Sequence, residues 1–284
     1  MLNNSLTTPK YNKLSESIKE NFNVSIINPL SSDLSVLRQS MLFSGLETLA
    51  YNTNRKNSDL KMFEDGKTYH NLPGGRLEKK HLSLFISGLK TEGNWALEEL
   101  KSNFFYGKGI VTAVLERLGL YDFIETPIDN DVFSEGVSLQ RNKVNLVEFG
   151  IVKKKICQAL DVEAEVFFAD FNWDQVLKQI PLKTLKFKPI PKFPGSQRDF
   201  ALLLDDSISF ANLQTAAYNT EKKLLKSVVL FDVYKDKNLP EGKKSYALSF
   251  TFQAEQKTLT DKQVDKIMTR LQQKFETEFG AVLR

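Results

Sequence analysis

Apolar and polar positions change period several times along these 284 residues, and each change marks a structural element. The most regular stretch runs from Ser245 to Gln253. Tyr246, Leu248, Phe250 and Phe252 fall on one side, and Ser245, Ala247, Ser249 and Thr251 on the other. That period of two predicts a strand with one packed face and one face of small polar groups. Soon afterwards Val264, Ile267, Met268, Leu271 and Phe275 recur at helical spacing. Thr260-x-x-Gln263 reads as a capping box, Leu259 with Val264 as a hydrophobic staple, and Gly280 as the residue that ends the helix. Upstream, Asp199–Leu204 and Leu224–Tyr234 read as strands and Ser209–Asn219 as a short helix with Phe210, Leu213 and Ala217 inward. Ala281–Leu283 reads as a short last strand. The order β-α-β-β-α-β predicts a ferredoxin-like unit whose two helices cover one sheet face and leave the other open.

The chain before this unit mixes periods over longer distances. A turn at Asn28–Asp33 leads into a helix expected from about Leu34 to Asn54, with Leu34, Leu37, Met41, Leu46 and Leu49 as its stripe. Leu60–Glu64, His81–Leu89, Val144–Val152 and Val162–Phe171 read as strands. Helices are expected at Ser102–Leu118 and around Ile156, and a Gly/Pro-rich loop at Leu72–Gly75. Strands separated by helices and long loops predict an α+β domain on a mostly antiparallel sheet. Pro181–Phe193 carries Pro181, Pro189 and Pro191 with Lys183, Lys186, Lys188 and Lys192, which makes it a semi-extended basic strap. The expected division is 1–180, a linker at 181–192, and 193–284.

Charge sharpens this division. From Lys188 onward there are 16 Lys or Arg against 12 Asp or Glu, so the whole net charge of +4 lies in the last third. A basic terminal unit fits a nucleic-acid partner as well as a solvated surface. No apolar run approaches the roughly 18 residues that span a bilayer, which excludes a membrane-spanning helix. Cys157 is the only cysteine, so an internal disulfide or cysteine-cluster metal site is impossible, and a reducing cytoplasm fits. Met1–Glu20 has no helix cap or hydrophobic nucleus of its own and no signal-peptide pattern. It reads as an internal piece of something longer.

Particular motifs then point to a family. FDVYKDKNLPEGKKSYALSFTF (231–252) followed by KTLTDKQV (257–264) resembles the ferredoxin-fold anticodon-binding domain that closes the bacterial phenylalanyl-tRNA synthetase beta subunit. FPGSQRDFALLLDD (193–206) is similar to that domain's opening. NPLSSDLSVLRQSMLFSGLETLAYNTNR, LKMFEDGKTY and SNFFYGKGIVTAVLERLGL resemble the same subunit's catalytic-like domain, with a class II synthetase-like antiparallel sheet. The resemblance implies a non-catalytic partner of the alpha subunit in an (αβ)₂ enzyme that charges phenylalanine tRNA. ATP and magnesium serve that whole enzyme, with no cofactor in this chain.

Two other classes stay open beside it. One is a self-contained adenylate-forming enzyme, the other a general RNA-binding or assembly module unconnected with phenylalanine. Adenylate formation needs arginines and magnesium held against the ATP phosphates. Class II enzymes meet this need with an arginine and an acid on a paired strand and a Gly-x-Gly-x-x-Arg element. Here the position two before Glu64 is Met62, and no Gly-x-Gly-x-x-Arg occurs. Arg76 reads as a surface loop residue. Glu98-Glu99 and Asp205-Asp206 read as solvated charge, and His70 and His81, 11 residues apart, have no carboxylate or cysteine constellation nearby. An open sheet bordered by lysines suits a structured RNA stem-loop, lysines on phosphates and an aromatic on an unpaired base. The expected contacts are Arg198, Lys235, Lys237, Lys243 and Lys244 for phosphate, and Tyr234 or Phe231 for stacking. Phe104 and Phe105 are the candidates for an apolar surface facing another subunit.

Overall fold

A computed structural model describes residues 1–181, 189–236 and 239–284. The chain divides into two compact units, Met1–Thr184 and Leu185–Arg284.

The first unit opens with three two-residue strands, β1 (Leu6–Thr7), β2 (Val24–Ser25) and β3 (Val36–Leu37), in the order β1-β3-β2. Helix α1 (Leu42–Thr53) leads to a long hairpin, β4 (Lys61–Leu72) and β5 (Gly75–Ser87). The short β6 (Leu89–Thr91) and β7 (Leu100–Lys101) pair with each other, and α2 (Phe104–Arg117) follows. Strands β8 (Ile124–Ile128), β9 (Phe133–Arg141) and β10 (Val144–Val152), helix α3 (Lys154–Gln158), β11 (Val166–Asn172) and α4 (Trp173–Gln179) complete it. The main sheet runs β4-β5-β11-β10-β9-β8, and every neighbour is antiparallel.

Both sheet faces are packed, by different residues. Leu84, Ile86, Phe149, Phe167, Ala169 and Phe171 bury against Val111 and Leu115 of α2 and Val176 of α4. On the other face Phe85, Val152, Val166 and Phe168 meet Leu42, Leu46 and Leu49 of α1 and Tyr11 from the N-terminal segment. Gly45 permits this second contact, because a Cβ there would lie 2.1 Å from the Phe85 ring. Cys157 is a buried free thiol whose pKa burial pushes up to about 11, which makes it unreactive.

The structure moves several expected boundaries. The first helix starts at Leu42 rather than Leu34, because Ser31 caps a 3-10 turn at Ser32–Leu34 and Val36–Leu37 joins a sheet. Leu34 and Leu37 therefore belong to no helical stripe. Strand β4 continues past Glu64 to Leu72, pairing residue for residue with β5 through polar positions. Strands β8 and β9 and helix α4 went unread, since Pro127, Gly136 and the polar residues of β9 dilute the pattern.

The terminal unit contains β12 (Ser196–Asp205), α5 (Phe210–Thr220), β13 (Leu225–Tyr234), β14 (Lys243–Phe252), α6 (Asp261–Phe279) and β15 (Val282–Leu283). Its sheet order, β13-β14-β12-β15, is the ferredoxin-like arrangement predicted above. Helix α6 begins where the Gln263 side chain accepts from the Thr260 N–H at 3.2 Å, and it ends at Gly280 with φ +60°. Leu248, Phe250 and Phe252 are fully buried with Val264, Leu271 and Phe275 of α6 and Leu213 and Ala217 of α5.

Candidate nucleic-acid interface

The alternation in β14 fixes the two faces of the terminal sheet. Phe250 lies opposite Arg198 of β12 and Val228 of β13, on the helix-bearing side. Ser249 lies opposite Asp199 and Val229, on the other side. By the same register the helix-free face carries Gln197, Asp199, Ala201 and Leu203, then Ser245, Ala247, Ser249 and Thr251, then Ser227, Asp232 and Tyr234. Gln197 Nε2 donates to Ser249 Oγ at 2.7 Å. Strand β13 is an edge with a bulge between Leu230 and Asp232, and Val229 and Phe231 beside it are more than half exposed. The Tyr234 hydroxyl donates to Asp236 Oδ2 at 2.9 Å, and the Arg284 guanidinium lies 5.6 Å from its ring.

The lysines and arginine expected on phosphate are placed differently from one another. Arg198 projects to the helix-bearing side, 2.5 Å from Asp261 Oδ1 and 3.8 Å from Asp265 Oδ1, and so anchors the first turn of α6. Lys244 lies opposite Leu204 and is 7% exposed. Its Nζ donates to the Asp206 carbonyl at 2.8 Å, above the Tyr246 ring. Lys235 and Lys243 are on the surface, but Lys235 is 2.8 Å from Asp206 Oδ1 and Lys243 is 3.8 Å from Asp205 Oδ2. The Asp205 carboxyl is held below its usual range by the Ser207 hydroxyl and N–H, with help from Lys243 and Lys244. Lys237 lies outside the described residues. The lysine cluster read from the sequence is thus interleaved with carboxylates, which a linear count underweights.

The first unit contains a constellation that sequence reasoning missed. Glu64, Ser83, Asp170, Glu148, Ser138 and Thr126 lie directly opposite one another across all six strands, forming one polar row. Arg38 Nη1 bonds Glu64 Oε1 at 2.8 Å with both side chains buried, supplying from another segment the arginine absent at Met62. His81 Nδ1 lies 3.0 Å from Asp170, Ser83 Oγ donates to Asp170 at 2.8 Å, and Thr68 Oγ1 is 2.9 Å from His81 Nε2. With Nδ1–H directed at Asp170, Nε2 accepts from the Thr68 hydroxyl. The carboxylate for His81 is 89 residues away in sequence, so no local spacing could reveal it. Thr68 and Ser83 are 1% and 0% exposed, which keeps these two hydroxyls away from solvent. The row is acidic and its one arginine is already bound, so it does not fit a nucleoside triphosphate. Among the described residues no group of three His, Cys, Asp or Glu is placed to hold a metal.

Glu148 provides a test of this row. Burial raises its carboxyl pKa, Asp170 adds to the rise, and Asn145 Nδ2, donating at 2.7 Å, opposes it. The folded chain resists ionising Glu148 more than the unfolded chain does. Its contribution to stability therefore falls as pH rises from the ordinary carboxyl value through the folded one. Glu148→Gln should raise the urea midpoint at pH 7 and leave it unchanged at about pH 3.5. Equal shifts at both pH values would show that ionisation plays no part.

Of the two candidate surface aromatics, Phe104 packs on Phe149 and Phe167, while Phe105 is 77% exposed. Phe105 lines a surface groove of about 540 Å³ with Leu100, Gly109 and Ala113, flanked by Lys90 and Lys101. Trp95 and Leu97, in the β6–β7 connection, are exposed as well.

An antiparallel-sheet unit followed by a ferredoxin-like unit with one helix-free face defines an α+β protein of two units. Residues 1–173 match the phenylalanyl tRNA synthetase beta chain CLM domain, and residues 191–284 match the ferredoxin-fold anticodon binding domain. The phenylalanine–tRNA ligase beta subunit of Bacteroides thetaiotaomicron is 42% identical over all of this chain and 36% of its own length. The Porphyromonas gingivalis subunit is 38% identical over the same shares, and the Thermotoga maritima subunit 30% over 90% of this chain and 32% of its own. Among solved structures, a pyrrolysyl-tRNA synthetase from Desulfitobacterium hafniense overlays 62% of this chain and 61% of its own with a TM-score of 0.47 at 17% identity. The chain belongs to the phenylalanine–tRNA ligase beta subunit family, and it spans about a third of the length of those relatives.

Proposed function

We propose that the terminal unit binds the anticodon stem-loop of phenylalanine tRNA, while the first unit supports the catalytic alpha subunit of a phenylalanine–tRNA ligase. The observation that carries this reading is the ferredoxin-like sheet whose helices α5 and α6 cover one face only. On the other face Ser245 and Ser249 are buried and Ala247 and Thr251 partly exposed, beside the exposed Phe231 and the partly exposed Tyr234, on which an unpaired base can stack. Lys235 and Lys243 border this face at the surface, paired with Asp206 and Asp205.

For the first unit, the antiparallel sheet is the counterpart of a class II synthetase core that has kept the fold and not the chemistry. The exposed apolar group of Trp95, Leu97, Leu100 and Phe105 is its docking surface for the alpha subunit. ATP and magnesium then belong to the alpha subunit's site in a cytoplasmic (αβ)₂ enzyme. The working division remains 1–180 and 193–284, joined by the basic strap at 181–192, most of which lies outside the described residues.

Titrating the full chain with phenylalanine tRNA and with a tRNA of another specificity, each with and without purified alpha subunit, tests both halves. Preference for phenylalanine tRNA, together with a complex mass containing both subunits, is the expected result. Equal binding of both tRNAs and no complex would make this a general RNA-binding module. Pyrophosphate exchange by the isolated chain would instead revive an adenylate-forming enzyme.

A further inference from the structure

The two ends of the terminal sheet differ in how their cations are compensated. At one end, where β13 finishes and β14 starts, Lys235, Lys243 and Lys244 are interleaved with Asp205, Asp206, Asp236 and Glu241. There the lysines reach Asp206 Oδ1, Asp205 Oδ2 and the Asp206 carbonyl respectively, and the Tyr234 hydroxyl also bonds an acid.

At the opposite end, Ser196, Leu225 and Phe252 lie side by side on three adjacent strands. Backbone and side-chain bonds hold the neighbouring segments there. The Gln253 N–H donates to the Leu224 carbonyl at 2.9 Å, and Gln253 Nε2 donates to the Phe193 carbonyl at 2.8 Å. Adjacent strands are about 4.8 Å apart, so these three chain segments come within roughly 10 Å of one another. Lys192 precedes Phe193, Lys222 and Lys223 precede Leu224, Lys226 is the extra residue of a bulge in β13, and Lys257 follows Gln253. All five are exposed, and among the described residues none has a carboxylate within 4.0 Å. Lys226 Nζ bonds only the Lys223 carbonyl, at 3.3 Å, which fixes its stem and leaves its charge uncompensated.

The acids at this end are otherwise engaged or few. Glu221 takes the Lys223 and Leu224 N–H groups and Arg270, and Asp261 takes Arg198. Glu255 is the remaining exposed acid of the β14–α6 loop. Lys188 and Lys237 lie outside the described residues, so the described terminal third carries 14 cations against 12 carboxylates, and these five lysines, none paired with a carboxylate, gather at this end of the sheet.

We infer that RNA backbone phosphates are held at the Phe252 end of the terminal sheet, by Lys192, Lys222, Lys223, Lys226 and Lys257, rather than at the Lys235–Lys244 end. This rests on the RNA-binding reading above and adds the orientation of the RNA on the sheet. Strand direction then aligns the nucleic-acid backbone with one end and leaves the unpaired bases to Val229, Phe231 and Tyr234 farther along β13.

Two variants of the full chain, titrated with a phenylalanine anticodon stem-loop across a salt series, decide the matter. Lys222→Gln/Lys223→Gln/Lys226→Gln should weaken binding at least tenfold at low salt and reduce the slope of log K against log salt by about 2 to 3. Lys235→Gln/Lys243→Gln should change the slope by less than about 1. The reverse pattern overturns the inference while leaving RNA binding by this unit standing. No saturable binding by the unaltered chain overturns both. Should a variant lose its thermal transition, acetylation of lysines in the unaltered chain with and without the stem-loop replaces it. Protection at Lys222, Lys223, Lys226 and Lys257 supports the placement, and protection confined to Lys235 and Lys243 refutes it.

Discussion

Arg38→Ala is expected to destabilise the first unit by about 3–5 kcal/mol, the cost of leaving a buried charge without its partner. The guanidinium is held by Glu64 Oε1 at 2.8 Å, the Lys67 carbonyl at 3.0 Å and Ser44 Oγ at 3.3 Å. Its packing is so close that a Cβ on Gly66 would fall 2.3 Å from Nη2. Removing it leaves the Glu64 carboxylate with Asn3 alone, whose Nδ2 donates at 2.7 Å, and opens a void that water does not readily reach. Replacing both partners, as Arg38→Met/Glu64→Leu, should recover most of the loss, because no uncompensated charge remains. Urea unfolding of the two variants reads the difference. A cost below about 1 kcal/mol for Arg38→Ala would mean that the pair is solvated, as surface ion pairs are.

Phe250→Ala should cost the terminal unit about 3–5 kcal/mol. Phe250 is fully buried, and its ring lies 5.6 Å from Phe200, 6.2 Å from Phe275 and 6.5 Å from Phe252, so the cavity borders three rigid rings that cannot collapse into it. A domain of this size has roughly 5–15 kcal/mol in all. The variant should therefore lose most of its terminal fold on mild heating, and its RNA binding with it. The first unit's cores share no residue with this one. Hydrogen exchange should accordingly show α5, α6 and β12–β14 opening while β5, β10 and β11 stay protected. Simultaneous opening of both sets would contradict two independent cores.

The terminal unit was legible in the sequence because its information is local. Strand β14 alternates without interruption, α6 carries a cap, a staple and a stripe within twenty residues, and Gly280 marks its end. The first unit was less so. The register that aligns Glu64, Ser83, Asp170 and Glu148 depends on which strands become neighbours, and that is decided by long-range packing. Arg38 and His81 look unremarkable along the chain and acquire partners only across the sheet. The lysines differ between chain and fold in the opposite way. Lys235, Lys243 and Lys244 look like one patch in sequence, yet the pleat buries Lys244, and Asp205 and Asp206 arrive from β12 and the turn after it to face the other two.

The central claim is that a helix-free face of the terminal sheet receives the anticodon stem-loop of phenylalanine tRNA. Its most direct test is the equilibrium binding of a fluorescent anticodon stem-loop to the full chain, compared with a stem-loop differing only in its unpaired bases. Saturable one-to-one binding, several-fold tighter for the phenylalanine sequence and weakening linearly on a log–log salt plot, is the predicted result. Indistinguishable affinities for the two loops, or no saturation even at low salt, would contradict it.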